Sequence, residues 1–208
     1  MATKKLINIL FLTILFSNTL LAKDWNFEAI LNDRVIGQHT FKLETSESTS
    51  KADFHIEFMF MDIYYNHLSR EIWNGDCLIK IDSQTNDDGD SYNVKGQLEN
   101  NKFKINVNEK VSELPSCNMT FAYWNHKILK QTKLINSQDG ELLDIKVKFV
   151  KDELIPIRND KLMTKRYELK AIKKGEEKLL INLWYDKDMN WVALSSKTPI
   201  GDIFYKLL

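Results

Sequence analysis

Tyr65, His67, Ser69 and Glu71 stand two residues apart in the segment Ile63-Tyr64-Tyr65-Asn66-His67-Leu68-Ser69-Arg70-Glu71, and an extended backbone turns all four to one face. Inside a barrel they would form a polar strip. An imidazole and a carboxylate are the parts of a general base or a metal site, yet two positions four apart in a strand lie roughly 13 Å from each other. That is too far for one ion or a direct proton relay without a third group, so structural hydrogen bonding or solvent exposure competes with chemistry here. The other histidines, His39, His55 and His126, fall in no His-x-x-x-His or His-Glu-x-x-His spacing. A same-face pair such as His55 with Glu57 is ordinary on strands, and neither a metal nor a cofactor is expected. There is no Gly-x-Ser-x-Gly elbow and no phosphate-cradling glycine loop, and Ser195-Ser196 reads as strand-end polarity. A hydrolase using His67 or His126 with a carboxylate would need a third polar group in the same cleft.

The densest cluster of large rings is Phe121, Tyr123 and Trp124, close to Cys117. Such rings wall a ligand pocket or fill a core corner, and each can bury ~150–250 Å². Tyr185, in Leu183-Trp184-Tyr185-Asp186, is a further ring with a polar tip. The candidate ligand-binding residues are therefore Tyr65, His67, Tyr123, Trp124 and Tyr185, with no catalytic and no metal-binding residue assigned.

These side chains must be positioned by strands. Phe54, Ile56, Phe58 and Phe60 alternate with Asp53, His55 and Glu57, and Phe103, Ile105 and Val107 alternate with Lys102, Lys104 and Asn106. Leu143, Ile145, Val147 and Phe149 repeat the pattern, as do Tyr167, Leu169 and Ala171. Period two over such runs marks half-buried strands. Asp88-Gly89, Asp139-Gly140, Lys174-Gly175 and Asp186-Lys187-Asp188 punctuate them as turns. The best short helix is Asn125 to Thr132, and no fixed repeat is present. Many antiparallel strands at short spacing predict an all-β meander that forms a barrel or a strongly curved half-barrel sheet, with a two-sheet sandwich as the alternative.

Lys4 and Lys5 precede the apolar run Leu6 to Phe16, and Leu20-Leu21-Ala22 leads into Lys23. This reads as a signal peptide over residues 1–22 cut after Ala22, leaving residues 23–208 as one soluble domain in the periplasm or outside the cell. The apolar run is shorter than the ~20 residues that span a bilayer. The 29 basic and 29 acidic side chains are interspersed, which argues against nucleic acid as a partner. Lys146, Lys148, Lys151, Lys161, Lys165, Arg166 and Lys170 make one stretch locally basic. They read as solvated strand faces that discourage edge pairing, or as a surface for anionic headgroups. In an oxidising compartment the two cysteines, Cys77 and Cys117, are simplest as one disulfide, with two buried free thiols as the other reading.

Three motifs occur in order: Trp73-Asn74-Gly75-Asp76-Cys77-Leu78, then Phe121-Ala122-Tyr123-Trp124-Asn125, then Leu183-Trp184-Tyr185-Asp186 followed by Trp191-Val192-Ala193-Leu194. Together they resemble a family of exported bacterial proteins, a domain of unknown function related to larger periplasmic β-barrel families. The resemblance covers almost the whole chain after residue 22 and implies antiparallel β structure, with both cysteines in matching motifs. It carries no activity. Where the family has a second glycine after Gly75, this chain has Asp76. The reading that follows is a non-catalytic exported protein holding a hydrophobic or amphipathic small molecule such as a lipid. The alternative is an envelope scaffold that contacts another protein.

Overall fold

The computed structural model describes residues 22–58, 61–157 and 160–208; apart from Ala22, the expected signal peptide lies outside them. The first eight strands are β1 (Lys23–Leu31), β2 (Arg34–Glu44), β3 (Glu47–Phe58), β4 (Met61–Asn74), β5 (Cys77–Asp87), β6 (Asp90–Glu99), β7 (Lys102–Val107) and β8 (Lys110–Leu114). After a crossing segment come β9 (Lys133–Ile135), β10 (Leu142–Ile157), β11 (Asp160–Lys173), β12 (Glu176–Tyr185), β13 (Trp191–Thr198) and β14 (Gly201–Leu207). All fourteen join one antiparallel sheet in which each half is a meander and β1 pairs with β14. β8 and β9 are its edges, so the sheet is a barrel-like roll that does not close.

The expected turns build the hairpins. Asp88-Gly89 and Lys174-Gly175 both hold positive φ, as two-residue hairpin turns of primed type require. Asn32-Asp33 and Asn100-Asn101 do the same without glycine, because a short amide or carboxylate side chain tolerates the left-handed region. The Asp186 carboxylate accepts from the backbone of Asp188 and Asn190 at 2.9 and 2.8 Å and shapes the β12–β13 turn. The expected helix is one 3-10 turn, His126–Lys130, capped by Asn125.

Alternation sends one face of the strands into the main core, where Phe27, Leu78, Val94, Phe103, Leu169 and Leu183 are fully buried, and a smaller cluster of Ile155, Trp184, Val192 and Ala193 lies apart from it. Phe27 and Phe41 close on Trp191 with ring centroids at 4.5 and 4.9 Å. Bulges at Ala29/Ile30, Ile72/Trp73 and Phe149/Lys151 add the local twist that rolls the sheet.

Residues 115–132 cross the open side. The disulfide joins Cys117 to Cys77 at the start of β5, and Leu78 N–H donates to Asn118 O at 2.8 Å. On the other flank Ile135 N–H donates to Met119 O at 2.9 Å, and Thr120 bridges Ile135 in parallel. Asp76 accepts from Asn125 Nδ2 at 3.1 Å and from Lys127 Nζ at 2.7 Å, and so anchors the 3-10 turn. The β9–β10 turn also reaches inward, with Ser83 and Thr85 of β5 donating to the carbonyls of Ser137 and Gln138 at 2.6 and 2.8 Å. Gly140 lies so close to β7 that a Cβ there would stand 2.3 Å from Val107 Cγ2.

The disulfide closes a loop of 40 residues. Cys77→Ser and Cys117→Ser are each expected to cost about 3–4 kcal/mol, the chain-entropy value for such a loop. The double variant should cost little more, since all three lack the same bond. Urea unfolding of the three variants checks this.

Candidate functional site

The roll forms a partly open chamber of about 100 Å³ between β2–β4, β12–β14, the crossing segment and the β9–β10 turn. Its polar wall carries His39, Ser50, His67, Glu71, Thr120 and Asn136, and its rings are Phe41, Phe121, Tyr123, Trp124 and Tyr205. The polar strip on β4 therefore does face inward: His67, Ser69 and Glu71 are buried, each opposite a β3 residue of the same face. Of the expected binding residues, His67, Tyr123 and Trp124 line the chamber. Tyr65 lies outside the lining, stacked on Phe54 at 5.4 Å, and its hydroxyl is buried with no hydrogen-bond partner among the described residues. Tyr185 also lies outside it and acts as a brace, its hydroxyl donating to Tyr123 O at 2.8 Å.

Glu71 is the most constrained group. Ser48 and Thr120 donate to Oε2, both at 3.2 Å, and Ser69 donates to Oε1 at 3.3 Å; Trp73 Nε1 holds Ser48 in turn at 2.9 Å. Burial pushes the carboxyl up to about 7, against the opposing pull of the three hydroxyls. His67 bonds through Nδ1 to Thr85 Oγ1 at 2.9 Å, with Ser137 Oγ 3.5 Å from Nε2, and burial lowers its pKa to about 4. His39 lies between Tyr205 OH at 3.2 Å and Ser50 Oγ at 2.7 Å, stacked on Phe41 at 4.1 Å. Burial, and secondarily His67, holds it well below the usual imidazole range.

The chamber thus presents two neutral imidazoles and a carboxyl that is about half protonated near neutrality. The Ser137–His67 contact is at the limit of a hydrogen bond, and among the described residues no carboxylate bonds either imidazole of the chamber. An imidazole with so low a pKa is a weak general base at neutral pH. The arrangement is suited to holding a polar group by hydrogen bonds beside aromatic faces. His55, Glu57 and Asp62 gather their ligand atoms within 4.8 Å on the outside of the β3–β4 hairpin, but all three are exposed. His55 there pairs with Asp62 at 3.1 Å, an ordinary surface contact.

His39 and Glu71 complete the site although neither belonged to the expected binding set. His39 shares the parity of the buried Phe41, and Glu71 that of His67 and Trp73; this alternation is the signal that marks them as inward-facing.

The titrations carry a sign. Glu71 holds its proton more tightly folded than unfolded, so its contribution to stability falls as pH rises from about 4.5 to about 7. His67 acts the other way, its contribution rising between about pH 4 and 6.5. Glu71→Gln removes only the first effect. Relative to the parent it should gain about 2–3 kcal/mol between about pH 5 and pH 8, read from denaturant unfolding at the two pH values.

Among curated proteins none matches this chain. Among solved structures it is similar to a crystal structure from Brucella abortus, a β-barrel-like protein of the domain of unknown function DUF1849. The two share 12% identity and a TM-score of 0.65 over 91% of this chain and 96% of that one, a likeness of fold. The profile of the domain of unknown function DUF6134 matches residues 27–208. The chain belongs to the DUF6134 family.

Proposed function

We propose that the protein is an exported, non-catalytic binding protein. Its chamber takes a small uncharged polar molecule, or the uncharged polar end of an amphiphile such as a lipid. The observation that carries this reading is the chamber itself, where polar side chains of β2–β4, the crossing segment and the β9–β10 turn meet aromatic and aliphatic ones. Its volume of about 100 Å³ is below the ~150 Å³ of a cavity that takes benzene and the ~300–1,000 Å³ of drug-sized pockets. The group inside therefore has few heavy atoms, and any longer tail lies outside. A charged group would lose its hydration with only Glu71 as a counter-charge, whose oxygens already accept from three hydroxyls. Export is supported by the leader-like sequence of residues 1–22 and by the disulfide. No helix among the described residues is long and apolar enough to cross a membrane.

Native mass spectrometry of the mature protein from its own host, followed by denaturation and solvent extraction, tests the reading. A reproducible bound mass is expected, with the extract separating a small solute from an amphiphile. Ser50→Leu, which fills the chamber beside His39, should lose that mass while keeping a cooperative unfolding transition. Repeated preparations free of bound mass would overturn the proposal in favour of the envelope scaffold.

A further inference from the structure

The β10–β11 hairpin outruns its neighbours. Lys165 with Tyr185 is the last pair between β11 and β12, and β9 pairs with β10 only over Leu142–Asp144. Residues 151–157 and 160–164 therefore form a two-stranded arm. The bulge at Phe149/Lys151 turns Ile155 to the same side of the ribbon as Arg166, and with Ile157 and Leu162 it covers Trp184, Val192 and Phe204 on the outer face of the sheet. A polar clamp pins this underside. Glu153 accepts from Trp184 Nε1 at 2.9 Å and pairs with Arg166 Nε at 3.3 Å and Lys151 Nζ at 2.8 Å.

The upper face of the arm is left apolar in the middle. Leu154 and Met163 are direct cross-strand partners, 58% and 54% exposed, and Phe149 follows on the same ribbon face at 49%. Lys161, opposite Pro156, and Lys165, opposite Asp152, stand on either side of this pair on its own face. An apolar centre between lysines, held outward by a rigid underside, has the chemistry of an interfacial anchor: the apolar groups enter the headgroup–acyl boundary while the long cationic stems reach the phosphates. With 29 acidic against 29 basic residues in the whole chain, attraction must come from this local set, in which Asp152 offsets part of the charge of Lys165. We propose that the arm docks the protein reversibly on an anionic lipid surface through Leu154, Met163, Phe149, Lys161 and Lys165.

The test is flotation of the mature protein with vesicles of phosphatidylcholine alone and with added phosphatidylglycerol. Binding is expected only to the anionic vesicles and should weaken as salt is raised. Lys161→Ala with Lys165→Ala should weaken partitioning roughly 25-fold, about fivefold for each lysine. Leu154→Ser with Met163→Ser should weaken it at least about tenfold. All four side chains are exposed, so thermal midpoints should not move, which separates lost docking from lost folding. No binding to anionic vesicles, or binding that survives both double variants, overturns the proposal. So does a dimer formed through Leu154 and Met163 in the absence of lipid, which would assign the face to a second copy.

Discussion

The Cys77–Cys117 bond holds the segment that does the work a hydrogen-bonded seam does in a closed barrel. β8 and β9 never pair, so the two meanders of the sheet meet along β1 and β14 on one side, and on the other through residues 115–132 and the β9–β10 turn. The crossing segment is short of regular structure and has few ladder bonds of its own. Its position depends on the disulfide, on Leu78 and Ile135, on either side of it, donating to its Asn118 and Met119 carbonyls, and on Asp76 gripping the 3-10 turn. From this one anchored strip come Thr120 against Glu71, Tyr123 against Tyr185 and Trp124 against Trp73. The chamber has a far wall because the strip is fixed.

Building a chamber this way has a cost. A carboxyl with its pKa near 7 inside a protein is one whose charge the fold opposes. The three hydroxyls around Glu71 and the paired hydrogen bonds of His39 offset only part of that. An apolar core at the same positions would fold with less penalty, as the fully buried Leu78, Ile81 and Phe103 elsewhere in the roll illustrate. Stability is thus spent on polarity at one place, with aromatic rings around it.

Much of this was legible in the chain. Alternation located the strands, the Asp-Gly and Lys-Gly turns located hairpins, and the shared parity of Tyr65, His67, Ser69 and Glu71 placed them on one face. What alternation cannot supply is the partner across space. His67 and Glu71 lie far apart along one strand, and what unites them is a chamber whose other walls come from Thr120, 49 residues after Glu71, and Ser137, 70 residues after His67. His39 was hard to read because a histidine in an apolar alternation looks like a satisfied core residue. The arm was hidden for a different reason: the bulge after Phe149 breaks the parity, so Leu154 and Ile155 exchange the faces that a continuous strand would give them. Lys146, Lys148 and Lys151, the bulge and Pro156 all fall on a strand whose outer edge has no ladder pair beyond Asp144, where Ile145 N–H donates to Thr132 O.

The pairing of β1 with β14 also sets an order of events. Phe27 and Leu207 are opposite each other although about 180 residues separate them, so the middle of the finished sheet is assembled from the two most distant strands of the chain. Every other strand pair joins neighbours in sequence and can form as a local hairpin soon after its residues emerge, but this seam must close a loop of nearly the whole domain. Until it does, Phe27 lacks a strand on one side, and the rings of Trp25 and Phe27 are apart from Trp191. The interval in which the emerging chain is most adhesive is therefore timed by its final strand. A chaperone that shields β1 until β14 arrives would protect this fold more than one that helps any hairpin to form.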